Sequence, residues 1–233
     1  MKTFLIPSRE RGNTRLAWLD SRHSFSFGHY HDPNRMGFGP LRVINEDVVA
    51  PGRGFPPHGH ANMEIVSIVT QGTLAHRDSI GNVETIRAGE VQRMTAGTGI
   101  EHSEFNPSND EQARFFQIWI LPARANLTPG YEQRGFDPAA RRDRWQLLVS
   151  PEGLDGSLSI HQDARILATA LEQGASIDYV PEGNRRLWLQ VASGRVDVAG
   201  QAIEAGDGLA IVDAELLTLT ADEASEVLLF DLH

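Results

Sequence analysis

Two short stretches carry side chains that could hold a cation. PPHGHANMEIV (residues 56–66) sets His58 and His60 two positions apart, and EVQRMTAGTGIEHSEFNPS (90–108) does the same with His102 and Glu104. In a β-strand, residues i and i+2 project from one face, so each pair points one way. If the two segments are neighbouring strands, three imidazole nitrogens and one carboxylate oxygen meet. Such a donor set suits a borderline divalent cation: Fe, Mn, Ni, Cu, Co or Zn. By the same alternation Glu101 and Ser103 face away. Glu64 shares the parity of His58 and His60, either as a competing ligand or as an acceptor that orients an imidazole. A lone His-x-His is usually surface or core decoration; the second pair, behind Gly97-Thr98-Gly99, carries the metal reading. Pro56-Pro57 stiffens the approach to the first pair by fixing backbone angles.

The elements that must position these pairs read as sheet. LRVINEDVV (41–49), MEIVSIVTQG (63–72), FFQIWIL (115–121), RLWLQVASG (186–194) and EVLLFDL (226–232) are rich in Val, Ile, Phe and Trp and are punctuated by Gly, Pro, Asn or Asp. SIGNVETI (79–86) carries a Gly-Asn turn between strand-like flanks, a hairpin signal. Helical signals are few; the best lies at FDPAARRDRW (136–145), with Asp137 as N-cap and Pro138 as first helical residue. Short strands spaced this way indicate a sandwich or barrel. A weak internal repeat divides the chain. Val69–Gly72 is followed by Ala88-Gly89-Glu90, and Val191–Gly194 by Ala205-Gly206-Asp207. The expectation is two similar β domains, 1–130 and 131–233, joined within 125–150, with the donors only in the first.

Composition narrows the function. A chain of 233 residues with 40% hydrophobic and 22% charged residues can bury a real core. It has no cysteine, which removes disulfides, thiolate catalysis and cysteine-based metal sites. A net charge of −10 argues against direct nucleic-acid or anionic-membrane binding, and the basic run Arg141, Arg142 and Arg144 is too short to reverse that. No window reaches the apolar run of about 18 residues that a membrane span needs. The start MKTFLIPSRERGN turns polar too soon for a secretory signal, so the expected location is cytoplasmic.

Several stretches resemble known families. Gly52, His58-x-His60 and Glu64 resemble the first cupin motif, with its following glycine one place late at Gly72. Gly97-x-Gly99-x-x-His102-x-x-x-Asn106 resembles the second, with glycine at 97 where cupins commonly have proline. More specifically, the chain is similar to the pirin family, and within it to bacterial pirin-like quercetinases. The matching stretches are Trp18-Leu19-Asp20 with His23–Phe27, Leu41–Asn45, the His58 segment, Ala96–Glu104, Gln117-Ile118-Trp119, His161-Gln162-Asp163 and Glu226–Leu232, in order along nearly the whole chain. The resemblance implies an all-β bicupin with metal only in the N-terminal cupin. It also implies His58, His60, His102 and Glu104 as ligands, with Glu64 supporting a ligand instead of binding the ion. Gly59 stands where relatives often have proline, at a cost in rigidity.

The resemblance further implies a flavonol such as quercetin as substrate, chelating one divalent metal, Fe(2+) foremost, through its 3-hydroxyl and 4-carbonyl oxygens. Dioxygen would cleave the heterocycle and release carbon monoxide. Fe and Mn take about six ligands, so four protein donors leave roughly two positions open for such a chelator or dioxygen; a closed tetrahedral zinc site would be purely structural. Glu104 is the candidate general base for the 3-hydroxyl proton. The alternative function is a regulatory protein that binds a protein partner and senses metal or redox state; a metal-free sugar-binding or isomerase cupin is a third. Among the other histidines, His23 reads as structural, in an aromatic stretch with His29 and His31. His76 and Arg77 read as solvated, and His161 as a satisfied structural residue. Phe115, Phe116, Ile118 and Trp119 supply core and pocket wall.

Overall fold

The computed structural model describes all 233 residues. It is built from antiparallel strands with only three short 3-10 turns, and no helix is long and apolar enough to cross a membrane. The chain forms two compact units. One holds residues 12–136 with 158–162; the other holds 1–11, 137–157 and 163–233. The expected single cut near residue 130 therefore differs from the observed partition. The first strand, Lys2–Ile6, pairs with Gly208–Val212, and a five-residue segment from beyond the junction belongs with the donor-bearing unit.

In that unit a large sheet runs in the order Gly130–Gly135, Glu90–Thr95, Glu64–Gln71, Ala113–Ile120, Leu41–Val49, Leu19–His23, Gly12–Arg15. A smaller one runs Gly54–His60, Ile100–Phe105, Thr73–Asp78, Val83–Arg87. Leu19, Val49, Val69, Leu74, Ile86 and Phe115 form one buried apolar cluster of the unit. The hairpin read from SIGNVETI is present: Thr73–Asp78 pairs antiparallel with Val83–Arg87. In the other unit, Leu187, Leu189 and Val191 pack with Leu209, Ile211 and Leu229 in a single aliphatic core.

The two donor pairs lie on adjacent strands, as the alternation argument requires. Ile100–Phe105 pairs antiparallel with Gly54–His60, with His102 opposite His58 and Ile100 opposite His60. The ladder then slips, so that Glu104 faces Phe55. The slip falls at Pro56-Pro57, which have no N–H to give the ladder. Close approach fixes this pairing. A Cβ at Gly54 would sit 2.2 Å from the Glu104 carbonyl oxygen and 2.5 Å from the Phe105 Cα. Gly54→Ala should therefore destabilise the unit by about 1–3 kcal/mol and weaken metal binding as the two donor strands separate. Urea midpoints and a metal titration read both, and an unchanged midpoint would show that the strands part freely. Gly97, at φ +49 with a would-be Cβ 2.1 Å from the Leu127 carbonyl oxygen, makes the turn into the His102 strand. There glycine takes a left-handed backbone at no steric cost.

The helix expected at 136–145 is a single 3-10 turn, Pro138–Arg141. The cap was legible, since the Asp137 side chain accepts from the Ala139 N–H. The sequence that follows, Ala-Ala-Arg-Arg-Asp-Arg, has no apolar stripe to bury, and helices of this length are not stable without one.

Candidate metal centre

Three imidazoles converge where the two pairs meet. Ring centroids are 4.5 Å apart for His58 and His102, 4.8 Å for His58 and His60, and 5.0 Å for His60 and His102. A nitrogen from each lies within 4.8 Å of the others. His58 Nδ1 is 2.8 Å from the Pro56 carbonyl oxygen; an imidazole can only donate there, which leaves the Nε2 lone pair free for a metal. His102 is 2% exposed and neither ring nitrogen has a hydrogen-bond partner. A buried polar atom without a partner costs about 1–3 kcal/mol, a cost that a coordinated ion removes. The residues present thus fit a divalent transition metal.

Burial, and then the neighbouring His102 and His58, hold His60 down to about 4, against the pull of Glu104. Burial, with His58 and His76 beside it, holds His102 down to about 3, against Asp78. Both rings are neutral when folded at pH 5–6, whereas the unfolded chain takes up protons at these histidines below about 6.5. The unfolded state then binds more protons, so the metal-free protein should lose stability progressively as pH falls from 6.5 toward 3, with no such loss above 6.5. Urea unfolding of the metal-free protein between pH 8 and 4 checks this. His60→Gln and His102→Gln should flatten the slope.

Glu104 is 2% exposed and is gripped from the large sheet. Gln117 Nε2 donates to its Oε2 at 2.7 Å, Ser67 Oγ donates to Gln117 Oε1 at 2.7 Å, and Gln92 Nε2 donates to Ser67 Oγ at 3.1 Å. These residues belong to one polar row. His23, Asn45, Gln117, Ser67 and Gln92 are successive cross-strand partners on five neighbouring strands. Sequence reasoning missed Ser67, Gln92 and Gln117 in this role. Their signal was present as polar residues at one parity in otherwise apolar strands, but only strand register shows that they line up.

A pocket opens beside the three histidines, with about 460 Å³ of free space including its mouth. Its apolar walls are Leu19, Phe27, Phe55 and Trp119, and His58, His60 and Glu104 also line it. Trp119 meets His60 edge-on at 4.8 Å and Phe27 at 5.4 Å. This fixes the orientation of its strand: Gln117 and Trp119 face the pocket, while Phe116 and Ile118 are buried on the opposite face. His23 also lines the pocket, held at Nε2 by Thr14 (2.9 Å) and at Nδ1 by Asn45 (2.8 Å). His29 and His31 are exposed.

Two expectations need correction. His76 is not solvated: it is 1% exposed, packed against His102 at 5.3 Å and Tyr131 at 4.8 Å, with only Arg77 beside it in solvent. Glu64 does not orient an imidazole of the trio. Its Oε2 accepts from Thr95 Oγ1 at 3.1 Å and, more loosely, from the His161 N–H at 3.4 Å. Parity counting from His60 fails because the chain turns at Asn62 (φ +53) and enters the other sheet. His161, read as a satisfied structural residue, does have partners: its Nδ1 is 3.4 Å from Thr95 Oγ1 and 3.5 Å from Glu64 Oε1.

Against known proteins, residues 6–120 match the family model "Pirin", and residues 147–232 match "Quercetinase C-terminal cupin domain". The chain is 48% identical over 229 residues to quercetin 2,3-dioxygenase of Escherichia coli strain K12, covering 98% of each. It is 40% identical to a pirin-like protein of Caulobacter vibrioides, covering 97% of each. Among solved structures, bacterial pirin YhhW of Escherichia coli in complex with nickel(II) superposes with a TM-score of 0.95 at 47% identity, covering 99% of both chains. YhaK, also from Escherichia coli, superposes at 0.77 with 33% identity, covering 89% of this chain and 92% of its own.

Proposed function

The chain belongs to the pirin family, a bicupin as expected, and from that membership we propose that it is a metal-dependent dioxygenase of flavonols such as quercetin. One observation carries the reading: three buried or half-buried imidazoles converge at the edge of an aromatic-walled pocket, with a buried carboxylate on the same wall. The relatives named quercetin 2,3-dioxygenase support the substrate class, and the nickel complex of YhhW supports a divalent metal.

In this reading His58, His60 and His102 hold the ion, with Glu104 as the fourth donor. When bound there, a divalent metal such as Fe(2+) or Ni(2+) would supply the Lewis acidity that lowers the pKa of the substrate 3-hydroxyl. Phe27, Phe55 and Trp119 give the planar rings an apolar wall to lie against. Glu104 accepts the 3-hydroxyl proton: Gln117, itself fixed by Ser67, holds Oε2 at 2.7 Å, while Oε1 takes only the looser contacts of Ser67 Oγ (3.4 Å) and Gln92 Nε2 (3.5 Å) and is the oxygen more open to the proton. With dioxygen as co-substrate the heterocycle would be opened to a depside, with release of carbon monoxide. The test is to incubate metal-loaded protein with quercetin in air and under argon, following the visible absorbance and carbon monoxide. Oxygen-dependent bleaching with carbon monoxide release is the expected result. Full metal occupancy with no bleaching in air would refute the proposal.

A further inference from the structure

We propose that His76, His102 and Glu104 form a second, deeper cation position in the same barrel, with Asp78 as the group that fixes His76. One ligand atom from each of the three lies within 4.8 Å of the others. All three residues are buried, at 1%, 2% and 2% exposure. They come together because Thr73–Asp78 flanks the His102 strand on the side away from His58: Glu104 is opposite His76, and His102 is opposite Asp78. His102 thus stands in the middle strand with a histidine neighbour on either side.

Hydrogen bonding around His76 points to a ligand. Asp78 Oδ2 lies 3.1 Å from His76 Nε2, and Asp78 in turn accepts from Asn82 at its side chain (2.7 Å) and backbone (2.9 Å). Asn82 and the Ile80 N–H, at 3.1 Å, keep the Asp78 carboxylate in place as an acceptor. The proton on His76 therefore sits on Nε2, and Nδ1 presents its lone pair. That Nδ1 is buried without any hydrogen-bond partner. A carboxylate holding one nitrogen of an imidazole so that the other is bare is the arrangement around metal-bound histidines. A structural histidine in a closed core would have both nitrogens satisfied.

The donor chemistry selects the ion. Two imidazole nitrogens with one carboxylate oxygen suit Fe(II) and its neighbours Co(II) and Zn(II), not Ca²⁺ or Mg²⁺. Two positive charges placed there would face the carboxylates of Asp78 and Glu104, so the ion would not be a buried unpaired charge. Because His102 belongs to both groups, the deep position overlaps the one at the pocket mouth. An ion entering past half-buried His58 and His60 could move inward by exchanging those two donors for His76 while keeping His102 and Glu104. This assignment concerns binding and does not depend on flavonol turnover.

The test removes the outer donors. His58→Ala/His60→Ala protein, prepared metal-free, is titrated with Co(II) by calorimetry and by visible d–d absorption. It should bind one equivalent. Adding His76→Phe, which keeps a ring against Tyr131 and His102, should abolish that binding, and adding Asp78→Asn should weaken it about 10–100-fold. A folded double variant that binds no Co(II) overturns the proposal, as does binding that survives His76→Phe. Should the His76→Phe protein not fold, Glu104→Gln in the same background must weaken Co(II) at least tenfold, and unchanged affinity is equally fatal. No flavonol enters the titration, so failure here leaves the dioxygenase reading standing, and failure of turnover leaves this one.

Discussion

Replacing His102 by alanine should yield a folded protein that has lost its metal and, with it, all flavonol turnover. His102 is the donor common to both groupings, so its loss breaks both at once: the group at the pocket mouth loses its central imidazole and the deeper group is left with His76 and Glu104. Structural zinc sites with four ligands bind with an apparent free energy of about 10–16 kcal/mol. Each ligand is then worth about 2.5–4 kcal/mol, or about 10²–10³ in Kd. Metal-free stability should respond quite differently. The truncation opens a cavity, but it also removes two buried nitrogens that have no hydrogen-bond partner, and these effects oppose one another. The urea midpoint of the metal-free variant should therefore stay close to that of the parent, while the extra stability the parent gains on adding metal disappears. A variant that keeps its metal, by elemental analysis after dialysis, would show that the cluster does not depend on its central imidazole.

On the proposed mechanism, Glu104→Gln separates holding the ion from moving the proton. The amide has nearly the same shape and can still accept from Gln117, so the polar row behind it persists. What it loses is a proton acceptor. Removing a positioned general base lowers turnover by about 10²–10⁴-fold, and the expected result is a fall in kcat of that order with metal content reduced far less. Both quantities must be measured on one preparation. Full turnover at unchanged metal content would transfer the base role elsewhere, and a parallel loss of metal and activity would make Glu104 a ligand before anything else.

Part of the candidate site's geometry was legible before any coordinates, namely the convergence of His58, His60 and His102; the structure groups Glu104 with His102 and His76 instead of with His58 and His60. The i, i+2 rule placed His58 with His60 and His102 with Glu104, and the strands proved to be neighbours. What could not be read was pairing over long range. His76 shares its parity with buried Leu74 and Asp78, a hint that an inward-facing row existed. Histidine and aspartate in a strand nevertheless read as solvent-facing until the strand is known to lie against Ile100–Phe105. Glu64 shows the reverse failure: a rule valid within one strand was carried across a turn into another sheet. The polar row from His23 to Gln92 draws one residue from each of five strands, and no local pattern contains it.

The pairing of Lys2–Ile6 with Gly208–Val212 has a consequence for biosynthesis. Residues 2–6 find their hydrogen-bonding partner only after about two hundred further residues have been translated. Until then an apolar edge segment, Phe4-Leu5-Ile6, waits without its mate, exposed to chaperones or to the same segment of another nascent chain.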